Sequence, residues 1–216
     1  MQPPTEPDGQ LIHNRDYSVL SYRLADDRMM LRGTVHDQKP PGIYFKNDPD
    51  PLSVHHMVVD LTLTFPRMEI VQVDVKMNVT PHVDCVNIEP DYQQLVGVSI
   101  ARGFSRKIKD LFGGPTGCTH IGALLQAMAP VAIQSSWSMR ALSSTSTSMN
   151  LNDLPDVEAK KQALAFNINT CHIWDEEGEQ VKTVLAGGEI EVPVWAEQRL
   201  SELGRPADEW HQSGAD

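Results

Sequence analysis

The stretch GGPTGCTHIGALL, residues 113–125, places a cysteine and a histidine two positions apart, directly after a glycine-rich turn. Apolar residues then recur at helical spacing (Ile121, Leu124, Leu125, Met128), so Cys118 is expected in the first turn of a helix. Backbone N–H groups and the positive end of the helix dipole gather there, surroundings that suit an anion such as a thiolate. An imidazole two residues on can take a proton from that sulfur or share a metal ion with it. Cys118 and His120 are therefore the expected catalytic pair, and both are expected metal ligands as well.

The chain has three cysteines and eight histidines, and each cysteine has a histidine close by: His82 with Cys85, Cys118 with His120, Cys171 with His172. His55 and His56 open one strand of a hairpin, and Cys85 follows the end of the other. Those two hairpin ends are neighbours in space. A pocket lined by His55, His56, Cys85, Cys118 and His120 is expected where the Cys118 helix packs on the hairpin. Its metal ligands are expected to be His55, Cys85, Cys118 and His120, a thiolate and imidazole set that suits zinc or iron. No CxxC pair is present, so the fold has to supply the geometry. His36-Asp37 is another polar pair at a strand end. A carboxylate there could orient a histidine, but an exposed strand terminus is the expectation.

The elements that position these residues follow from periodicity. HHMVVDLTLTF alternates Met57, Val59, Leu61, Leu63 and Phe65, and EIVQVDVKMNV alternates Val71, Val73, Val75, Met77 and Val79. These predict an antiparallel hairpin over about 56–65 and 69–79 with one buried face. Strands are expected at 17–24 and 29–37, turning at Asp26-Asp27, followed by a proline-marked loop, PPGIYFKNDPDP. Two short helices divided by Gly103 are expected after residue 91. A longer one is expected over about 117–142, with Pro130 inside it. SSTSTSMNLNDLPD reads as an exposed, mobile loop, DVEAKKQALA as a short helix, and INTCHIWDEEGEQVKTVL as a second hairpin turning at Glu176-Glu177-Gly178. From Gly187 the pattern is weak. The expected fold is α+β: an antiparallel sheet built around the central hairpin, with helices packed on one side. The expected organisation is a flexible tail over 1–11, one domain over 12–185 and an extension over 186–216.

Composition narrows the classes of function. The chain has 216 residues and a formal charge of −11, which repels phosphate backbones and argues against nucleic acid. Mean hydropathy is −0.32, and no run of about 18 apolar residues suggests a membrane span. The N-terminus lacks the basic and apolar segments of a signal peptide. Few cysteines, odd in number, fit a reducing cytoplasm with free thiols. There is no phosphate-binding glycine loop, dinucleotide fingerprint or serine elbow, so a small-molecule substrate is compatible with the sequence but not specified by it.

The run HNRDYSV, HHM, PHVDC, YQQLVGVSIARGFSRKI, GGPTGCTHIGALL and NTCHIW resembles a bacterial family, domain-of-unknown-function family 2889, over most of residues 12–185. The elements that carry the resemblance are Cys118-Thr119-His120, Cys171-His172 and His55 in HHM. Where the family's pattern implies an aspartate between that histidine and the methionine, this chain has His56. Membership implies no activity beyond a loose link to small-molecule catabolism. The order His55, hairpin, Cys85, helices, Cys118 is also similar to the SufE/NifU-like fold of iron–sulfur scaffold proteins. His55 takes the place of their first cysteine, so the likeness implies a mononuclear zinc or iron site, held by a carrier or a metal-site enzyme, more readily than a cluster. A second expectation is a metal-free enzyme with Cys118 as thiolate nucleophile and His120 or His55 as base. A third is an accessory protein that works by binding a partner.

Overall fold

The computed structural model describes residues 7–101, 103–142, 154–165, 167–188 and 191–212. The serine-rich expectation at 143–156 therefore falls mostly outside the described residues, as do residues 1–6 of the expected tail. The chain divides into two compact units, Met1–Trp137 and Ser138–Asp216.

The first unit is built on a four-stranded antiparallel sheet in the order β1 (Asn14–Ala25), β2 (Arg28–Lys39), β3 (Leu52–Thr64), β4 (Ile70–Val79). Each strand pairs antiparallel with the next in sequence: short turns at 26–27 and 65–69 join β1 to β2 and β3 to β4, and the loop 40–51 joins β2 to β3. Alternation then sorts the side chains. Met29, Leu31 and Val35 of β2, Met57, Val59, Leu61 and Leu63 of β3, and Val73, Val75 and Met77 of β4 are buried on one face. The other face is polar and includes a two-pronged Arg32–Asp60 bridge at 2.8 and 2.6 Å. The sheet is thus half-buried, with Leu61, Leu63, Val73 and Val75 on the buried face as expected; Val71 and Val79, also expected there, are only half-buried, because the β3–β4 register shifts at 62/63 and 56/57 and Ile70 takes the buried place opposite Leu63.

A 3-10 helix, Val83–Leu95, follows β4 and covers its edge. Glu89 Oε1 accepts the Met77 N–H at 2.6 Å, and the Gln93 side-chain amide donates to the Val73 carbonyl at 2.9 Å. This helix begins nine residues before the expected position, and the proline at position 90 lies within it. Helix α1 (Phe104–Phe112) starts after Gly103, whose φ of 82° is left-handed and favours glycine. It buries Phe104, Ile108 and Phe112 at i, i+4, i+8. Helix α2 (Thr119–Ala141) buries Ile121, Leu124, Leu125, Met128 and Ala132. Its bounds match the expected helix to within two residues at either end.

The second unit contains α3 (Val157–Ala163), a 3-10 turn at His172–Trp174, α4 (Glu179–Leu185), α5 (Val194–Glu202) and α6 (Glu209–Gln212). The expected second hairpin does not form. Asn169, at φ 61°, accepts the Glu176 N–H through its side chain at 3.0 Å and donates its own N–H to the Trp174 carbonyl at 2.7 Å. These bonds close 169–176 into a loop rather than a strand. Beyond the turn, Val181 and Val184 stand three apart, the spacing of a helix, and pack with Leu164 and Ile168. The weakly patterned end also carries helices. In α5 and α6, Trp195 and Trp210 meet edge-to-face with ring centres 5.2 Å apart.

Candidate metal centre

Strand register builds the site. Arg15 pairs with Asp37 across β1 and β2, and Asp37 pairs with His55 across β2 and β3. Directly paired residues share a face, so the three form a row across the sheet. Asp37 continues the series Met29, Leu31, Gly33, Val35, which places it on the core side, where it is 1% exposed. The expectation of an exposed strand terminus is therefore corrected.

Helix α2 supplies the fourth member. A Cβ at Gly33 would lie 2.6 Å from Met128 Sδ and 3.1 Å from Leu124 Cδ1, so the helix presses on the backbone of β2. Asp37 is four residues from Gly33, about 13 Å along a strand. His120 is one to two turns before Leu124 and Met128, about 6–12 Å along a helix. The comparable reach brings the first turn of α2 over the Asp37 row.

The glycine-rich entry fixes that turn. A Cβ at Gly117 would sit 2.3 Å from the Phe112 carbonyl oxygen and 2.5 Å from Phe112 Cβ, so only glycine allows the approach. The Cys118 N–H donates to the Tyr92 hydroxyl at 2.9 Å, and the Cys118 carbonyl accepts the Gly122 N–H at 2.9 Å. Tyr92 is fully buried and its ring lies 4.5 Å from that of Phe112. Burial pushes its phenol up to about 12, so it stays protonated.

Asp37 is the hub. Arg15 donates to it side-on, Nε to Oδ1 at 2.5 Å and Nη2 to Oδ2 at 2.7 Å. His55 Nδ1 lies 3.0 Å and His120 Nε2 3.2 Å from Oδ2, and His13 Nε2 lies 3.8 Å from Oδ1. The His55 and His120 rings stack with centres 3.9 Å apart. The bonds from Arg15 hold the Asp37 carboxyl down to about 2 against the opposing effect of burial, so it is ionised at neutral pH. Burial, then the nearby His55 and Arg15, push His120 below its ordinary value and favour neutral imidazole. The other ring nitrogen of His120, Nδ1, lies 3.7 Å from Cys118 Sγ. Among the described residues, one group of three brings His, Cys, Asp or Glu ligand atoms within 4.8 Å of one another: Asp37, His55 and His120.

Of the residues anticipated from sequence, His55 and His120 thus converge, and Cys118 touches His120. His56 was expected in the pocket but projects from the opposite face, where it pairs with His36. Cys85 is half-buried in the 3-10 helix after β4, its N–H donating to the His82 carbonyl at 3.2 Å, and stands outside the converging group. Cys171 is exposed in the second unit. Sequence reasoning missed Arg15, His13 and the central part played by Asp37. The signal for Asp37 was present: it shares the parity of Met29, Leu31 and Val35.

Fold and site together define an α+β protein with a four-stranded antiparallel sheet and a His/Asp group of the kind that can hold a metal ion. The family model described as "Protein of unknown function (DUF2889)" matches residues 13–134, more than half of the chain. The chain belongs to that family. The matched span begins at His13 and includes Arg15, Asp37, His55, Cys85, Cys118 and His120, while Cys171-His172 lies beyond it. No curated protein and no solved structure matches the chain. No helix among the described residues is long and apolar enough to cross a membrane.

Proposed function

We propose that this protein binds one transition-metal ion, zinc or iron, through Asp37, His55 and His120. The observation that supports this most is the spacing of three ligand atoms from three separate elements. His55 Nδ1 and His120 Nε2 lie 3.0 and 3.2 Å from one carboxylate oxygen. Ligands at about 2.0–2.1 Å from a tetrahedral ion stand about 3.3 Å apart, so little movement is needed to admit one. Without metal, these nitrogens carry protons that bond to Asp37. With an ion bound, His120 would carry its ring proton on Nδ1, facing Cys118 Sγ, and His55 would carry its own on Nε2. Cys118 would then fix the tautomer of a ligand, and Arg15 would hold the carboxylate through both of its oxygens.

Three protein ligands leave a coordination position open, as catalytic ions require. Metal analysis of protein purified without an affinity tag tests the proposal. About one equivalent of zinc or iron is expected, lost in His55→Ala and His120→Ala. Full metal content in both variants would overturn it. Cys85→Ser and Cys118→Ser, compared on the same scale, report whether either thiolate completes the ligand set.

One observation favours a second reading. Cys118 Sγ, His120 Nδ1, His120 Nε2 and Asp37 Oδ2 lie in sequence at 3.7 and 3.2 Å, the order of a thiol, base and orienting carboxylate. A metal-free protein whose Cys118 alkylates far faster than Cys85 and Cys171 would support it.

A further inference from the structure

We propose that the open side of this centre binds a carboxylate ligand, held jointly by the metal ion and Arg15. This rests on the metal centre proposed above and names the chemical class that it receives. Arg15 lies on the edge strand β1 and is 36% exposed, although Asp37 beneath it is 1% exposed. Asp37 occupies only the side-on edge of the guanidinium, through Nε and Nη2. A guanidinium has five N–H groups in a rigid fork. Donors therefore remain on a group that is fixed in place and still reaches solvent. His55 and His120 are 20% and 17% exposed, so the centre is not sealed either.

Charge leads to the same conclusion. With a divalent ion, Arg15 and ionised Asp37, and with neutral imidazoles, the centre carries two net positive charges at a partly buried place. Uncompensated charge there is costly, and an anion relieves it. His13, 3.8 Å from Asp37 Oδ1, adds a further donor on the Arg15 side. The rest of the molecule, at −11 overall, repels anions, so the attraction is local. A carboxylate fits better than a halide because its two oxygens can divide between ion and fork.

Cobalt(II) in place of the native ion makes the test visible. Cobalt is titrated first, and acetate is then added to the loaded protein while the visible absorption is followed, with inorganic phosphate as a parallel arm. Acetate is expected to shift the cobalt bands. At saturating cobalt, Arg15→Gln should weaken acetate by at least about tenfold, as for loss of a charge-assisted hydrogen bond; cobalt affinity should itself fall by roughly 10–100-fold, because Arg15 also holds the Asp37 ligand. Arg15→Lys, which keeps the charge but not the fork, should fall between. No response to acetate in the native sequence, or equal acetate affinity in both variants, would overturn the inference and leave the metal centre standing. Loss of cobalt in both variants would also overturn it, since Arg15 would then serve only to hold Asp37. A response to phosphate alone would refute the carboxylate class. Failure of cobalt to bind at all would remove the metal centre itself, and is seen before any anion is added.

Discussion

β2 and β3 each carry two adjacent polar residues at the same end of the sheet, His36-Asp37 and His55-His56, and the pleat sends the members of each pair to opposite faces. The inner row joins Asp37 to His55 and receives Arg15 from β1 and His120 from α2. The outer row joins His36 to His56, with ring centres 4.9 Å apart, and His36 Nε2 lies 2.8 Å from Ser53 Oγ. Its β1 neighbour, Asp16, accepts from the Asn14 side chain at 2.7 Å. Both rows hold imidazoles and both have a carboxylate at hand. Only the inner row lies under a helix, which adds a third candidate ligand above the buried Asp37. Convergence comes from the layer packed above the sheet, not from the composition of the strand ends.

The comparison can be broken most strongly through the side chains that define the inner face. Leu63→Ala should cost about 2–5 kcal/mol in denaturant unfolding, since it empties a fully buried position. Thr62→Ala, one residue away on the other face, should cost about 0.5 kcal/mol or less. Equal effects would mean that the two faces do not differ in burial.

Removing the hub of the inner row should come next. Asp37→Ala leaves Arg15 and two imidazoles without their shared acceptor. Because Arg15 remains partly in water, a cost near the low end for a broken buried pair is expected, about 3 kcal/mol. Metal content should fall to background. A stable variant that still holds metal would show that Asp37 is neither hub nor ligand.

Acid should separate the contributions to the inner row. His120 titrates below its ordinary 6.5 in the folded protein, so the unfolded chain takes up its proton first. The stability that it contributes is complete above about pH 6.5 and is lost as pH falls below that value. The Asp37 carboxyl is held at about 2 against an ordinary 3.8, so its share persists to about pH 4 and is lost between there and pH 2. Melting curves of the metal-free protein should therefore show two acid-sensitive windows. His120→Gln should shrink the upper window, to which the likewise depressed His56 also contributes, and leave most of the lower one, which Arg15 carries. No change in the upper window would assign it to another histidine.

The smallest effect is expected in the outer row. His56→Ala should change stability by about 0.5 kcal/mol or less and leave metal content intact. Burial and the facing His36 push His56 below its ordinary value, but it projects away from Asp37. The histidine that stands here in place of an expected aspartate therefore lies outside the candidate centre. Loss of metal in this variant alone would reverse the assignment of faces.

Local pattern was enough for several elements. Alternation over 57–63 and 73–77 marked the buried face of the hairpin, because a strand has a period of two whatever it packs against. The run from Gly113 to Met128 identified the start of α2 and the closeness of Cys118 to His120 there, because glycine turns and i, i+3, i+4 spacing are local properties. His55 was also visible, as a polar residue at the mouth of an apolar strand. The segment 168–185 misled because valines three apart suit either a helix or an imperfect strand, and the Asn169 loop that decides between them depends on one left-handed residue.

What the sequence could not supply was the meeting of distant parts. Arg15 reaches Asp37 because β1 pairs with β2 in one register out of several, and a slip of one residue would turn Arg15 to the opposite face. His120 reaches the same carboxylate because Gly33 lets α2 settle against the sheet at Leu124 and Met128. Periodicity assigns a residue to a face but does not say which residue of another element stands over it. That is decided when side-chain volumes pack, and packing is a property of the folded chain as a whole.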